Sequence, residues 1–296
     1  MPGKLYADTI KAAQPMKRTG VFYHSVCGEK AYFSLAMSVR EGFESLKKEK
    51  LFDEPNISLF ESEPVSEELI LKVHTRDMIE SVKRSGYYET SLYSVGGSLG
   101  AVEKVLSKEI DNALVFMGVG GHHSSKNSFW GGCFFNTEAI PIQYVRERFG
   151  LRRFAVVDTD THHADGTMDV FQEDEDLLYI CFCGGYGGVR GKNKVCLPHG
   201  ASDEEEVEQV KKEVPGRIEE FKPELVYWML GLDTHKDSYG TRRLTEKCYR
   251  KLAEIIKESA DKVCDGKLIV NNGCNAPAYV TEYVMPRIVD CLAELN

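Results

Sequence analysis

The segment FAVVDTDTHHADG, residues 154–166, contains the pattern that decides the fold. It begins with a short apolar, β-branched run that is typical of a buried strand, and then becomes strongly polar. Similar runs recur along the chain, and the predicted strands are residues 20–23, 113–117, 154–157, 178–182, 225–230 and 268–270. Helical periodicity separates them, at residues 30–48, 66–85, 97–108, 137–149, 203–221, 245–260 and 277–295. This alternation predicts an α/β fold with a single open, mainly parallel β-sheet and helices on both faces.

The overall composition is that of an ordinary globular chain. Its 296 residues are 42% hydrophobic, and no Pro/Ser-rich linker divides them, which predicts one domain over residues 1–296. No run approaches the ~18–20 apolar residues of a membrane-spanning helix. The N-terminal stretch lacks the apolar core of a signal peptide, so we expect a cytoplasmic protein with no membrane partner. The net charge of −9 and the lack of a dense Lys/Arg cluster argue against a nucleic-acid partner. The sequence carries no indication of the oligomeric state.

The nine cysteines are scattered along the chain, and none of them belongs to a Cys-x-x-Cys pair. Their odd number and irregular spacing argue against a disulfide scaffold and against a zinc ribbon. We therefore expect reduced thiols, most of them packed as small buried hydrophobic residues.

Polar residues cluster at the ends of the predicted strands, which is the edge where parallel sheets bind ligands. After the strand at residues 154–157, three carboxylates and two imidazoles fall within eight residues, a costly grouping unless a cation neutralises it. Alternate residues of an extended chain point the same way, so Asp160 and His162 can reach one metal, with Asp158 on the same side. Asp233 follows the strand at residues 225–230 and can provide a third ligand. Three protein ligands leave room for a water, so the sequence predicts one catalytic site for Zn²⁺ or another divalent ion.

Two adjacent histidines, His122 and His123, follow the predicted strand at residues 113–117. The preceding GVGG, residues 118–121, permits a tight turn and a close approach of the backbone. Adjacent histidines do not easily both pack into a core, and they suit a pair of acid/base groups, each oriented by a carboxylate such as Asp158 or Asp165. Three further polar residues of these clusters can equally well be structural: His163, His235 and Asp237.

Seven short motifs follow one another along most of the chain. They are VHTRDM at residues 73–78, SVGG at 94–97, GHH at 121–123, GGCFFNTEAI at 131–140, DTDTHHADGT at 158–167, NKVCLPHGASD at 193–203 and GLDTHKD at 231–237. In this order they resemble the arginase/deacetylase superfamily, specifically its zinc-dependent histone deacetylase and acetylpolyamine amidohydrolase branch. The SVGG motif is similar to a glycine-rich helix start of that family. The resemblance implies the arginase/deacetylase-like α/β fold.

The resemblance also implies roles for individual residues. The implied zinc ligands are Asp160, His162 and Asp233. His123 would be the general base, and His122 would assist electrostatically or as an acid, with Asp158 and Asp165 supporting the two histidines. The implied reaction is hydrolysis of an N-acyl amide, with a small molecule or an acyl-lysine-like substrate as the partner. Family members often hold potassium near the equivalents of Asp158 and His162, so a structural K⁺ is a further expectation.

One departure from the family pattern follows the last predicted strand. The family usually carries Gly-Tyr there, and its phenol hydrogen-bonds the developing oxyanion, but this chain has Cys274 at the tyrosine position. Loss of an oxyanion donor commonly costs ~10²–10³ in turnover, and a thiol is a weak donor. Three interpretations stay open. Cys274 is a packing residue, or the donor comes from Tyr279, Tyr186 or an asparagine, or Cys274 approaches the metal as a thiolate and closes the open position.

A second departure is Gly132, which stands where the family has an aromatic wall of its acyl-lysine tunnel. The loop CGGYGGVRG, residues 183–191, is also altered and can equally be a surface loop without contacts to the site. We expect a wider site, or one filled by Tyr186 or Trp130. The predicted substrate and oxyanion region is therefore Gly132, Tyr186 and Cys274.

These observations predict a zinc-dependent amidohydrolase, a hydrolase of C–N bonds other than peptide bonds. Two alternatives stay open: a metal-binding deacetylase-like protein with little deacetylase activity, and a hydrolase of a non-acetyl amide or ester. Retention of both histidines favours the enzyme, because a metal scaffold alone needs no proton transfer. Loss of the tyrosine favours the first alternative.

Overall fold

One sheet of nine strands organises the part of the chain that the computed structural model describes, namely residues 16–32, 35–185, 188–190, 192–240, 242–274 and 276–295. The strands are β1 (Thr19–Tyr23), β2 (Ile57–Glu61), β3 (Asn112–Phe116), β4 (Phe154–Asp158), β5 (Leu177–Cys181), β6 (Val189–Arg190), β7 (Lys194–Cys196), β8 (Leu225–Leu230) and β9 (Leu268–Asn272). Their order across the sheet is β2-β1-β3-β9-β8-β4-β5-β7-β6. All neighbours run parallel except β6 and β7. The prediction of a single, mainly parallel sheet is confirmed.

Helices connect most of these strands. They are α1 (Ser25–Glu29), α2 (Ala36–Lys48), α3 (Glu67–Ile70), α4 (Arg76–Ser85), α5 (Tyr88–Leu106), α6 (Ala139–Phe149), α7 (Asp165–Val170), α8 (Asp203–Phe221), α9 (Cys248–Cys264) and α10 (Ala278–Ala293). Two short 3₁₀ turns occupy Leu51–Asp53 and Leu232–Thr234. Within the described ranges, no helix combines the length and apolar character needed to cross a membrane.

The central strands are buried on both sides, so successive residues of one strand contact different helix layers. In β4, Ala155 and Val157 belong to one hydrophobic cluster, and Phe154 and Val156 belong to the other. Residues of α2, α8, α9 and α10 complete the first cluster, and residues of α4, α5, α6 and α7 complete the second. Helices therefore cover both faces, as predicted, and two-sided burial explains the continuous apolar runs.

The strands that the sequence did not predict lie at the margins of the sheet. β2 is an edge strand with a mostly exposed or half-buried surface, and β6 and β7 are only two and three residues long. Such strands lack the continuous apolar run of a central strand. The predicted helix at residues 66–85 is divided into α3 and α4, because Thr75 begins a new helix and its side chain accepts a hydrogen bond from Met78 N at 3.3 Å.

The glycine pair at residues 96–97 lies inside α5 and does not begin a helix. The expected helix start at residue 97 is therefore wrong, since α5 begins at Tyr88. A Cβ atom on Gly96 would lie 1.6 Å from the carbonyl oxygen of Glu63, and one on Gly97 would lie 2.7 Å from Ser62 Oγ. Glycine costs about 1 kcal/mol relative to alanine inside a helix, so the close approach of the neighbouring chain explains the pair.

Four adjacent strands at the centre of the sheet, β3, β9, β8 and β4, end at the same edge. The chain leaves β3 into GVGGHH, β9 into Gly273 and Cys274, β8 into GLDTH, and β4 into the TDTHHAD segment. Because these strands are parallel, the four polar segments meet at one place.

Candidate active site

A cavity of about 440 Å³ opens at this edge of the sheet. Both members of the histidine pair, His122 and His123, line it together with Asp160, His162 and Cys274. Asp233 lies beneath them and is fully buried. The structure therefore brings the three predicted metal ligands and the predicted acid/base pair to one cavity.

The predicted metal ligands contact one another directly. His162 Nδ1 lies 2.9 Å from Asp160 Oδ1 and 3.2 Å from Asp233 Oδ2. Hydrogen bonding with both carboxylates raises the pKa of His162 to about 10, and burial together with the charge of Asp160 raises the pKa of Asp233 to about 6. Asp233 Oδ2 is buried, and apart from the 3.2 Å contact with His162 it has no hydrogen-bond partner among the described residues. A divalent cation would neutralise the two carboxylates and would give Asp233 Oδ2 a partner. These residues therefore fit a metal site.

Cys274 lies at the same point, just after β9. Its thiol donates a hydrogen bond to Asp160 Oδ2, and the ligand atoms of Asp160, Asp233 and Cys274 all lie within 4.8 Å of one another. Burial, followed by the charges of Asp160 and Asp233, raises the pKa of the Cys274 thiol well above its ordinary value. Cys274 is therefore a neutral thiol pointing at the carboxylates, placed where it could also become a fourth ligand.

His122 is paired with Asp158, the last residue of β4. His122 Nδ1 lies 3.0 Å from Asp158 Oδ2, which also accepts a hydrogen bond of 2.7 Å from the Tyr179 hydroxyl. Burial disfavours the charged imidazole, but the charges of Asp160 and Asp158 outweigh it and raise the pKa of His122 to about 9. These two carboxylates therefore favour the protonated form of His122.

His123 is paired with Asp165, the first residue of α7. His123 Nδ1 lies 2.6 Å from Asp165 Oδ1, and the other carboxylate oxygen accepts a hydrogen bond of 2.9 Å from Trp130 Nε1. Burial, and then the neighbouring charge of His122, lower the pKa of His123 to about 4 despite the contact with Asp165. The surroundings of the two adjacent histidines therefore shift their pKa values in opposite directions.

Aromatic residues form the walls of the cavity, and the sequence singled out only one of them, Trp130. Gly132 has φ +79°, and a Cβ atom there would lie 2.6 Å from Tyr32 Cδ1, so the ring of Tyr32 occupies the space beside the glycine. Trp130, which the sequence offered as one residue that could fill the site, lines the cavity and packs against His123 with ring centroids 3.7 Å apart and planes tilted by 30°. Tyr239 lies on the other side, with its ring centroid 5.8 Å from that of His162. No motif pointed to Tyr32 or Tyr239.

The other candidate carbonyl donors are placed differently. Tyr279 is half exposed, donates to Asp237 and does not line the cavity. Tyr186 lies outside the described residues. His235 is buried away from the cavity and its Nδ1 atom accepts a hydrogen bond from Asp237 N at 3.1 Å, which is a structural role. His163 turns toward three cysteines instead of toward the cavity.

A buried arginine, Arg242, forms hydrogen bonds with the backbone of the segment that carries the candidate metal ligands. Its Nη2 atom donates to the carbonyl oxygen of Asp160 at 3.3 Å and also to that of Phe182. Its Nη1 atom lies 3.8 Å from Glu206 Oε1, and both side chains are almost completely buried. No sequence signal identified this residue, because burial and not local pattern distinguishes it from the exposed Arg243 beside it.

Comparisons with known proteins agree with this geometry. The histone deacetylase domain family matches residues 36–282. A probable deacetylase of Archaeoglobus fulgidus is 28% identical over 76% of this chain and 71% of its own length. A histone deacetylase-like amidohydrolase of Pseudomonas aeruginosa is 29% identical over 76% of this chain and 68% of its own length. A polyamine deacetylase of Danio rerio is 29% identical over 39% of this chain and 20% of its own length. The chain belongs to the histone deacetylase domain family.

Proposed function

We propose that the chain is a metal-dependent amidohydrolase that cleaves the N-acyl amide of a small amine or an acyl-lysine-like molecule. The observation that carries this proposal is the pair of histidine–aspartate contacts, His122–Asp158 at 3.0 Å and His123–Asp165 at 2.6 Å, at the same cavity that Asp160 and His162 line. A site that only binds metal has no need of two further imidazoles that are each oriented by a carboxylate.

Asp160, His162 and Asp233 would hold the ion. A divalent ion bound there supplies Lewis-acid stabilisation of charge on an acyl oxygen and acidifies water. Burial of the two carboxylates keeps this charge in a region of low dielectric, where electrostatic effects on a substrate are strong.

The histidines divide the movement of protons between them. His123 is neutral, and because Asp165 holds its Nδ1 atom, its Nε2 atom is left to accept a proton from the attacking water. His122 carries a proton, and its pairing with Asp158 fixes the ring so that its charge faces the site. In this assignment His123 is the base, and His122 stabilises developing negative charge or returns a proton to the leaving amine.

We assign the carbonyl donor to Tyr239. Tyr239 lines the cavity with its ring centroid 5.8 Å from that of His162, and burial, followed by the charges of Cys274, Asp233 and Asp160, raises the pKa of its hydroxyl. A neutral phenol donates a stronger hydrogen bond than the thiol of Cys274. Tyr239 therefore offers a donor from a different segment than the one where the family carries its tyrosine.

The walls of the cavity favour a slender amine with an apolar stem. Tyr32, Trp130 and Tyr239 present aromatic surfaces around the opening, and such surfaces attract both methylene chains and ammonium groups. A lysine side chain and a polyamine share that chemistry.

The test is amine release from N-acyl amines by the zinc-reconstituted protein. We expect turnover by the native chain, and a loss of about 10²–10³ in kcat with little change in KM or metal content for Tyr239→Phe. Tyr283→Phe, which removes the hydroxyl of an exposed tyrosine outside the cavity, provides the matched control. A metal-loaded protein that releases no amine from acetyl or longer acyl substrates contradicts the proposal.

The position of Cys274 supports a second candidate, a metal-binding protein with little hydrolytic activity. If its sulfur replaces water as the fourth ligand, the site is closed. Cys274→Ala would then increase turnover several-fold, whereas a neutral thiol that only donates to Asp160 predicts little change.

A structural potassium ion stays a prediction. We propose that Arg242 supplies part of the positive charge that such an ion would bring to this segment. The guanidinium places a fixed positive charge on the carbonyl oxygens of Asp160 and Phe182, next to His162. Exchange of K⁺ for Na⁺ in the assay buffer should therefore change kcat less than twofold.

A further inference from the structure

Three cysteines and a histidine face one another beside the candidate active site, and no step of the proposed reaction uses them. The ligand atoms of His163, Cys181, Cys183 and Cys196 all lie within 4.8 Å of one another. The three cysteines are buried free thiols. We propose that this group, the Cys₃His cluster, binds a second divalent ion, zinc, in a closed structural site.

The sheet itself builds this cluster. Cys181 ends β5 and is paired in register with Cys196, which ends β7. Paired residues on neighbouring parallel strands point to the same face, and Cys183 follows two residues later on that face. His163 comes from the segment after β4, the next strand of the sheet. Three neighbouring strands therefore converge on one point, although the spacing in the sequence resembles no zinc motif.

The distances suit a tetrahedral ion. Zn–S bonds of ~2.3 Å and Zn–N bonds of ~2.0–2.1 Å separate the ligand atoms by roughly 3.5–3.8 Å. His163 Nδ1 lies 3.2 Å from Cys196 Sγ and 3.7 Å from Cys183 Sγ. Small side-chain rotations are therefore sufficient to complete the site.

The donor set decides the kind of ion and its role. Thiolates and imidazole select zinc over magnesium or calcium, and four protein ligands leave no position for a substrate. The sulfurs of Cys183 and Cys196 are the polar partners of His163, whose Nε2 atom is buried and has no hydrogen-bond partner within the part of the chain that the structure describes. A disulfide would use only two of the three sulfurs and would leave this imidazole without a function.

The cluster is connected to the active site through the backbone. His163 directly follows the candidate ligand His162, and the Cys181 thiol lies 3.8 Å from the carbonyl oxygen of His162 as a hydrogen-bond donor. An ion in the cluster would fix the segment that carries His162 to the ends of β5 and β7. The cluster is therefore a positioning site and takes no part in the reaction.

Metal analysis of the purified 296-residue chain tests this proposal. We expect two zinc ions per chain in the native protein, one in Cys196→Ser, one in Asp160→Asn and two in Cys264→Ser. Cys264 is a matched control, because it is also a buried cysteine and its thiol donates to the carbonyl oxygen of Ala260, a bond that serine can keep. An equal zinc content in the native chain and in folded Cys196→Ser overturns the proposal.

This measurement separates the second site from the proposed active site. If only the active-site proposal fails, the native chain holds one ion, which Asp160→Asn retains and Cys196→Ser loses. If only the Cys₃His site fails, the single ion is lost in Asp160→Asn and retained in Cys196→Ser.

If Cys196→Ser does not fold, the proposal can be tested on proteins that keep all four residues of the Cys₃His cluster. Cobalt substituted for zinc should give an intense sulfur-to-cobalt charge-transfer band that persists in Cys274→Ser, because three thiolates remain in the cluster. Alkylation with mass mapping should show Cys181, Cys183 and Cys196 protected until a chelator is added. A band that disappears in Cys274→Ser, or thiols released only by a reductant, overturns the proposal.

Discussion

Removal of the Arg242 guanidinium should destabilise the protein in a way that depends on pH. Arg242→Met keeps much of the side-chain volume but leaves the buried Glu206 without its cationic neighbour. Removing one partner of a buried ion pair costs about 3–5 kcal/mol when the other charge is left behind. Glu206 can limit this cost by taking up a proton.

The free energy needed to protonate Glu206 sets the expected loss of stability in Arg242→Met. A carboxyl group with an ordinary pKa of 4.5 requires about 3.4 kcal/mol to be protonated at about pH 7, at 1.36 kcal/mol per unit. Burial already raises the pKa of Glu206, although Arg242 and the backbone N–H of Gly200 oppose this, so the cost is somewhat smaller. We expect Arg242→Met to lower the free energy of unfolding by about 3 kcal/mol and the melting temperature by about 6–12 °C at neutral pH.

The sign of the pH dependence follows from the raised pKa. A carboxyl group whose pKa is raised in the folded state contributes stability below its unfolded pKa and loses it as the pH rises. Without Arg242 the pKa of Glu206 rises further, so the difference between variant and native chain should shrink by up to about 2.7 kcal/mol between about pH 7 and pH 5. Urea unfolding at several pH values measures this.

Two controls separate the ion pair from general damage. Arg243→Met changes the same residue type at an exposed position and should change stability by less than about 0.5 kcal/mol. Arg242→Met combined with Glu206→Gln should recover most of the loss, because no buried charge remains. A loss in Arg242→Met that does not vary with pH, or that matches Arg243→Met, refutes the reasoning.

Three further variants test the cavity. His123→Ala should lower kcat by about 10²–10⁴ without loss of metal, as measured by amine release and metal analysis; an unchanged kcat would remove His123 from the role of base. Cys274→Tyr should leave the turnover of acetyl-lysine substrates nearly unchanged, because Tyr239 already supplies the donor, and a large gain with full metal content would contradict the assignment of Tyr239. Gly132→Ala should destabilise the chain by at least about 1–2 kcal/mol in thermal melts, because φ is +79° and the new Cβ would lie 2.6 Å from the Tyr32 ring; an unaltered melting temperature would contradict that contact.

The central strands and the ligand clusters could be predicted because each is local in the sequence. Two-sided burial makes β4 a continuous apolar run, and the sharp change to polar residues marks its carboxyl end. Asp160 and His162 are two residues apart, so one extended segment presents both. Asp233 required only the further assumption that parallel strands end at the same edge.

The walls of the cavity could not be predicted, because they arise from contacts between distant segments. Tyr32 follows α1, yet its ring lies over Gly132, a hundred residues away along the chain. In the sequence, Gly132 suggests a wide opening to the cavity. In the structure, the ring of Tyr32 covers this position. Arg242 could not be predicted for the same reason, because it donates to the carbonyl groups of residues 160 and 182, which are distant from it in the sequence.

The adjacent histidines 162 and 163 illustrate how one short segment can serve two neighbouring groups. His162 faces the carboxylates of Asp160 and Asp233, whereas His163 faces the sulfurs of Cys183 and Cys196. A displacement of the backbone at one histidine must therefore move the other. A rigid contact on the sulfur side would hold the imidazole of His162 against the carboxylates, and its loss would widen the distances among the candidate metal ligands. The sulfur-rich side of β5 and β7 would then affect the active site through the geometry of His162, without any contact with the substrate.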